Sequence, residues 1–169
     1  MNSSSLSTAH VYYRHRQAGW AMMGVAAMPL LFLAVRVATA PGADRTLPHG
    51  LLVGMLSLSG LALLGFSSMS IVVTRDALIA RFGIGLVKRT IALDRIVSVV
   101  ATRSRWYNGW GIHWTARGML YNVSGLDVVR LVLVDGRPVL LGTDDARGLK
   151  SALERAMRER SSRAIQRQE

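Results

Sequence analysis

Residues 50–69 read GLLVGMLSLSGLALLGFSSM, twenty consecutive residues without a charged side chain. An α-helix of this length extends about 30 Å, which matches the hydrocarbon thickness of a bilayer. A buried helix of a soluble protein is the alternative, but it needs a large surrounding core that a chain of 169 residues cannot supply. The stretch therefore predicts a transmembrane helix and an integral membrane protein.

A second apolar segment precedes this one, at residues 18–38. Pro29 lies within it and is tolerated in a membrane helix, where it favours a kink. Arg36 falls in the last turn, from which its charge can reach the interface. Trp20 lies near the start, where an aromatic belt is expected. Residues 39–49 should then form a short extracytoplasmic loop between two antiparallel membrane helices.

A cleaved signal peptide is the alternative interpretation of the first segment. Arg14 and Arg16 would form its charged region, and residues 38–40 read ATA, an A-x-A sequence of the kind that signal peptidase cuts. The apolar run, however, exceeds the ~7–15 residues typical of a signal peptide. Pro41 would also follow the cut, where its ring is poorly accommodated. We therefore expect the first helix to be retained.

The basic residues near the helix ends predict the orientation of the chain. Arg14 and Arg16 precede the first helix. The stretch after the second helix adds four basic residues, Arg75, Arg81, Lys88 and Arg89. The loop between the helices has Arg45 offset by Asp44. Because cytoplasmic flanks carry the excess of Lys and Arg, we expect both termini on the cytoplasmic side of a bacterial inner membrane, with residues 1–17 as an N-terminal tail.

The charge balance favours an anionic partner. The chain has 21 Lys and Arg against 10 Asp and Glu, a formal net charge of +11, and no cysteine. Two membrane segments favour anionic lipid headgroups over nucleic acid as that partner. The lack of cysteine excludes disulfides, thiolate catalysis and cysteine metal sites. The four histidines show no metal-ligand spacing, so neither a metal nor another cofactor is expected.

From residue 70 onward the sequence changes to short β-like runs. Strands are expected at residues 71–74, 78–82, 86–93, 96–102, 126–134 and 137–142. Gly83-Ile84-Gly85 and Asp135-Gly136 have the composition of hairpin turns. A single amphipathic helix should follow, capped by Thr143, Asp144 and Asp145 and ending near Arg160.

These elements predict an α+β membrane protein. A two-helix transmembrane hairpin would precede a bent antiparallel β-sheet or partial barrel over residues 70–160. The sheet is expected to bend or partly close, because one helix cannot cover both faces of a long sheet, and the C-terminal helix would cap it. Residues 161–169 would form a flexible basic tail.

The run IVVTRDALIARFGIGLVKRTIALDRIVSVV at residues 71–100, followed later by GTDDARGLKSAL at residues 142–153, resembles the bacterial pleckstrin-homology-like domain family. The similarity is carried by the pattern Ile91, Leu93, Ile96 and Val99 and by the helix after Gly-Thr-Asp. It implies a pleckstrin-homology-like domain beside membrane helices and no catalytic residues. Residues 103–125 depart from that family, because they are longer and more aromatic.

This aromatic stretch holds three of the four tryptophans together with arginines and tyrosines. The candidate residues for membrane or partner contact are Arg103, Arg105, Trp106, Tyr107, Trp110, Trp114 and Arg117. Its glycines indicate an irregular loop or a twisted hairpin. The composition is typical of a membrane interface, of a protein-binding hot spot or, for the tryptophans, of a small domain's core. Trp110 and Trp114 pointing inward, with Trp106 outward, would combine these alternatives.

Three small residues of the second membrane segment, Gly50, Gly54 and Ser57, are candidates for close helix packing. Small residues let two helix backbones approach each other within a membrane. Their partner is either the first helix of the same chain or a helix of a second copy.

Together these features predict a non-catalytic, membrane-anchored module. It would bind or scaffold a protein partner, anionic lipid or both at the inner leaflet. The alternatives are an accessory subunit that stabilises a larger membrane complex and, with less support, an enzyme acting on lipid-linked substrates. The enzyme would gain support if His113, Asp127 and Asp94 met in one cleft, and we expect them to lie apart.

Overall fold

The computed structural model describes residues 10–39, 48–105 and 109–166, and in these ranges the chain forms an α+β fold with three α-helices and two β-sheets. The elements in chain order are β1 (Val11–Ala18), α1 (Trp20–Thr39), α2 (His49–Phe66), β2 (Ser68–Thr74), β3 (Ala77–Phe82), β4 (Val87–Ala92), β5 (Ile96–Arg103), β6 (Gly111–Thr115), β7 (Gly118–Asn122), β8 (Asp127–Leu133), β9 (Pro138–Gly142) and α3 (Ala146–Gln166). A short 3-10 turn, Leu93–Arg95, joins β4 to β5. The predicted α+β class is confirmed.

Helices α1 and α2 are both long and apolar enough to cross a membrane. They differ at their ends from the expected segments 18–38 and 50–69. Ser68 and Met69 belong to strand β2 rather than to the second helix, and both are buried. The β-branched residues that follow favour an extended backbone, which ends the helix at Phe66. Most of the predicted loop, residues 40–47, lies outside the described residues.

The first sheet has the strand order β1-β2-β3-β4, and every neighbouring pair is antiparallel. Strand β1 replaces residues 11–17 of the tail expected at residues 1–17, and residues 1–9 lie outside the described residues. It pairs with β2 from Val11 opposite Thr74 to Ala18 opposite Ser68. Its inward side is polar or aromatic, including the buried Gln17, so the usual alternation of apolar and polar residues is missing.

The second sheet has the order β5-β8-β9-β7-β6. The aromatic stretch contributes the hairpin β6–β7, so the twisted-hairpin interpretation is right and the irregular-loop interpretation is wrong for these strands. The expected wholly antiparallel sheet is corrected at one pair, because β7 runs parallel to β9. Hairpin β8–β9 lies between β5 and β7 and therefore brings strands that are distant in sequence together.

One hydrophobic core lies between the two sheets and under α3. Its largest fully buried side chains include Met69, Ile71, Leu78, Phe82, Leu93, Leu131 and Leu141 from the strands and turns. Helix α3 closes the core with Leu149, Leu153 and Ala156. The helix continues to Gln166, past its expected end at Arg160, and Arg163 there is 3.3 Å from Glu159 one turn earlier.

Candidate functional site

Both candidate membrane helices are attached at one place, the paired ends of β1 and β2. Ala18 lies opposite Ser68, and the backbone N–H of Gly19 donates to the carbonyl of Ser67 at 2.7 Å. Helix α1 begins at the next residue, Trp20, and α2 ends at Phe66. The helix hairpin is therefore a direct extension of the sheet. We call this end of both sheets the helix-proximal end.

Two glycines let the backbones meet at this junction. A Cβ atom on Gly19 would collide with the carbonyl oxygen of Phe66, and one on Gly83 would collide with the carbonyl oxygen of Leu64. Gly83 also has a φ of 53°, which side chains other than glycine disfavour. Its N–H donates to the carbonyl of Ser68 at 2.7 Å, and the N–H of Ile84 donates to Leu64 at 3.2 Å. The turn between β3 and β4 is thereby fastened to the last turn of α2.

The second sheet is attached to the same junction by side chains. The buried Gln17 donates from Nε2 to the carbonyl of Gly142 at 3.1 Å and accepts at Oε1 from the N–H of Asp144 at 2.9 Å. The hydroxyl of Ser124 donates to the carbonyl of Ala18 at 2.8 Å. The ends of β7 and β9 and the start of β8 are therefore helix-proximal as well. Sequence reasoning missed these residues, since their roles depend on pairing across the chain.

Strand β1 is also held by three polar pairs to α3 and to the two residues that precede it. The Tyr12 hydroxyl donates to Glu159 at 2.5 Å, the Tyr13 hydroxyl donates to Asp145 at 3.1 Å, and His15 contacts Asp144. The hydrogen bond to Glu159 raises the pKa of Tyr12, and burial raises the pKa of Tyr13 above its ordinary value. Besides its contact with Tyr13, Asp145 accepts from the N–H of Gly148 at 2.9 Å and so caps α3.

Part of the predicted contact set lies at the helix-proximal end. Arg103 is exposed at the end of β5, with Nε 4.0 Å from Asp127, and Arg105 is exposed two residues later. Trp110 is 41% exposed, and its Nε1 donates to the carbonyl of Gly125 at 3.3 Å. The predicted residues Trp106 and Tyr107 lie outside the described residues.

Trp114 and Arg117 lie at the opposite, far end of the second sheet. Trp114 lies near the end of β6, Arg117 lies in the turn to β7, and the Trp114 side chain is 73% exposed. Trp114 borders a cleft of about 270 Å³ whose charged lining residues are Arg89, Arg95, Asp135 and Arg137. The structure therefore divides the predicted contact set between two ends. The inward-facing alternative does not hold for Trp110 or Trp114.

The small residues of α2 do not form the contact with α1. Gly50, Gly54 and Ser57 are exposed, and Cβ atoms built on the two glycines would meet no other atom within 4 Å. The buried residues of the helix pair include Ala26 of α1 and Ser59 of α2. Packing within the hairpin is thus the wrong interpretation for the three predicted residues, and they face away from α1.

The residues that a catalytic site would need are distributed over the domain. Asp94 lies in the 3-10 turn at the far end, 3.2 Å from Arg160, whereas Asp127 begins β8 at the helix-proximal end. His113 lies on the edge strand β6. In the described ranges no group of three or more His, Cys, Asp or Glu residues is placed to hold a metal ion.

Comparisons with known proteins identified no relative of this chain. No protein-family model and no curated protein matches the chain.

Proposed function

We propose that this chain is a non-catalytic, membrane-anchored module whose pleckstrin-homology-like domain binds or scaffolds partners at the cytoplasmic face of a bacterial inner membrane. One observation carries the proposal: strands β1 and β2 continue directly into α1 and α2, with Ala18 opposite Ser68 at the junction. A domain attached to two helix ends without a linker stays at a fixed height and orientation beside the bilayer. A domain that is fixed beside the membrane is better suited to recruiting partners there than a domain that diffuses freely.

The domain architecture supports the pleckstrin-homology-like part of this proposal. Two sheets enclose one core and a C-terminal helix closes it. The expected domain had the same helical cap on a single bent sheet or partial barrel. Strand β1 and the parallel pair β7–β9 are departures from a simple meander. Strand β1 precedes the helices, so the membrane hairpin is inserted within the first sheet.

Exposed basic and aromatic residues at the helix-proximal end support contact with anionic lipid. Arg103, Arg105 and Trp110 are at this end, where a membrane-spanning hairpin would place lipid headgroups. Tryptophan favours headgroup depth and arginine favours phosphate. The far end supports a protein partner instead, because the exposed Trp114 beside a cleft with three arginines has the composition of an interaction hot spot.

An accessory subunit of a larger membrane complex, or a homo-oligomer, is the second candidate. Its support is the face of α2 that carries Gly50, Gly54 and Ser57, which packs on nothing within the described chain. Small residues on such a face allow another helix to approach closely. The enzyme alternative has less support, because Asp94 and Asp127 lie at opposite ends of the domain.

Accessibility labelling tests the proposed anchor and its orientation. The chain has no cysteine, so Val11→Cys, Val134→Cys and His49→Cys each introduce a single thiol at an exposed site. A membrane-impermeant maleimide should label the first two variants only in inverted inner-membrane vesicles and the third only in spheroplasts. Labelling of Val11→Cys and Val134→Cys from different sides would contradict the shared platform. Release of the protein by alkaline carbonate would contradict the anchor.

A further inference from the structure

We infer that the outer face of the first sheet, together with the β3–β4 turn, is a docking surface for anionic phospholipids. The inference rests on the proposed membrane anchor and adds a specific lipid-binding site to it. This site lies on β1, β3 and β4 and is separate from the aromatic stretch at residues 103–125.

Three cations form one row across the four strands of the first sheet. Arg16 lies opposite Ser70, Ser70 lies opposite Arg81, and Arg81 lies opposite Lys88. Residues directly opposite each other in antiparallel strands project from the same face of a sheet. The neighbouring positions on β2, Met69 and Ile71, point into the core, so the row projects outward. Arg16, Arg81 and Lys88 are all exposed.

The charge of this row is not neutralised by carboxylates. No ion pair of the described residues includes Arg16, Arg81 or Lys88. Arg16 donates instead to the hydroxyl of Ser68 at 3.3 Å. Arg81 and Lys88 are like charges placed directly opposite each other, an arrangement that destabilises a strand pair. A bound anion between them would remove that repulsion.

The row lies at the height of lipid headgroups if α1 and α2 cross the bilayer. Helices of 20 and 18 residues extend about 27–30 Å, which fills the hydrocarbon core. Arg16 precedes the junction residue Gly19 by three positions, or about 10 Å of strand. That height is about one Debye length at 0.1 M salt, and long basic side chains reach back toward the interface.

The β3–β4 turn provides the apolar part of the surface. Ile84 is 71% exposed and Leu86 is 60% exposed, although both are large aliphatic residues. The N–H of Ile84 donates to the carbonyl of Leu64, inside α2, so the turn extends back along the last turn of that helix. Two exposed aliphatic side chains at this depth would contact the boundary between headgroups and acyl chains.

This combination selects a lipid surface over a soluble anion or a nucleic acid. A free phosphate compound would explain the cation row but not the exposed Ile84 and Leu86 beside the helix end. Amphipathic membrane-binding surfaces combine apolar insertion with cations that attract anionic headgroups. Arg81 and Lys88 are opposite each other one register position before the turn, so the cations and the exposed aliphatic side chains lie close together in the same hairpin.

Depth-dependent quenching of the full-length chain in lipid nanodiscs tests the inference. Leu86→Cys introduces a single thiol for an environment-sensitive fluorophore, since the chain has no cysteine. Two samples of nanodiscs of phosphatidylcholine and phosphatidylglycerol would be compared. One would contain a small fraction of spin-labelled phosphatidylglycerol as quencher, and the other an equal fraction of spin-labelled phosphatidylcholine. We expect spin-labelled phosphatidylglycerol to quench at least about threefold more than spin-labelled phosphatidylcholine, because one basic residue near the surface favours anionic lipid about fivefold.

Matched variants distinguish the row from general basicity. Combining Arg16→Gln, Arg81→Gln and Lys88→Gln should lower the quenching ratio to about one. The control combination Arg130→Gln, Arg155→Gln and Arg158→Gln removes the same charge from other exposed sites and should leave the ratio unchanged. A fluorophore on Val134→Cys, which is 66% exposed at the far end, should be quenched by neither lipid.

Three results would overturn the inference. They are a ratio near one in the chain with its basic row intact, an unchanged ratio after removal of the row, and equal quenching at positions 86 and 134. Alkaline carbonate extraction tests the anchor separately. A chain that stays in the membrane but shows any of these results refutes the docking surface alone, whereas extraction of the chain refutes the proposed function.

Discussion

Ala18 and Ser68 lie opposite each other at the last register position of the β1–β2 pair, and a candidate membrane helix is attached to each of them. The separation of α1 and α2 at this end is therefore set by the spacing of two hydrogen-bonded strands, about 5 Å between backbones. Any change that separates the strands also separates the helices. Stability of the domain and geometry of the hairpin should respond together to substitutions at the junction.

The close approach at Gly83 is testable against a neighbouring glycine. Both Gly83 and Gly85 have positive φ angles, but only a Cβ on Gly83 would collide with the backbone of α2. Gly85→Ala should cost about 1–2 kcal/mol from backbone strain alone. Gly83→Ala should cost about 2–5 kcal/mol, because overpacking adds to the strain. Thermal unfolding in detergent measures both. Equal losses would contradict the fastening of the turn to Leu64.

Gln17 should be the most sensitive polar residue of β1. Gln17→Ala leaves the buried carbonyl of Gly142 and the N–H of Asp144 without this partner, at a cost of about 1–3 kcal/mol. Arg14→Ala on the outward side of the same strand is the control and should change stability by less than about 0.5 kcal/mol. Chemical denaturation in a mild detergent would compare the two. Similar values would argue against Gln17 as the link between the sheets.

Alkaline pH should weaken the attachment of β1 to α3. Burial holds the pKa of Tyr13 above the value of about 10 that it has in the unfolded chain. Below pH 10 both states hold the proton, and above it the unfolded state loses the proton first, so stability falls as pH rises. Between pH 10 and 11 the free energy of unfolding should decline by about 1 kcal/mol less in Tyr13→Phe than in the unmodified chain. Stability would be measured by denaturant titration at each pH. If the stability of the unmodified chain and that of Tyr13→Phe declined equally between pH 10 and 11, the alkaline loss could not be assigned to Tyr13.

Trp114 and Trp110 should differ in their effect on stability. Trp114→Ala should leave the free energy of unfolding within about 0.5 kcal/mol, since the side chain is 73% exposed. Trp110→Ala removes the hydrogen bond to Gly125 and should cost about 1 kcal/mol. Denaturant titration followed by circular dichroism measures both. A loss above about 2 kcal/mol for Trp114→Ala would make that residue structural and remove it from the partner surface.

Local sequence patterns predicted the elements whose signals are contained within a few residues. Residues 50–66 carry no charged side chain, so helix α2 was predicted from its own segment, whereas the pairing that places Ser68 and Met69 in β2 was not. The turns at Gly83-Ile84-Gly85 and at Asp135-Gly136 are where the backbone adopts positive φ, which glycine permits. The cap of α3 by Asp145 was also predictable, because the capping residue immediately precedes the helix in the sequence.

Elements defined by distant pairing were not predictable in this way. Strand β1 has Gln17 and Tyr13 on its inward side, and its partner β2 follows two intervening helices. The parallel pairing of β7 with β9 likewise depends on where β8 lies. The predicted contact set was divided for the same reason, because the hairpin β6–β7 places Trp110 and Trp114 toward opposite ends of one strand.

The placement of β1 before the helices also has a consequence for biosynthesis. Strand β1 leaves the ribosome before the two helices, yet it gains its partner only after α1 and α2 have been synthesised and β2 has emerged. If α1 and α2 cross a membrane as proposed, a chain in which only one of them inserts would have β1 and β2 on opposite sides of the bilayer, and the first sheet could not form. Under the proposed membrane anchor, folding of the domain would therefore depend on insertion of both helices, and chains with the wrong topology would expose unpaired strands to proteolysis.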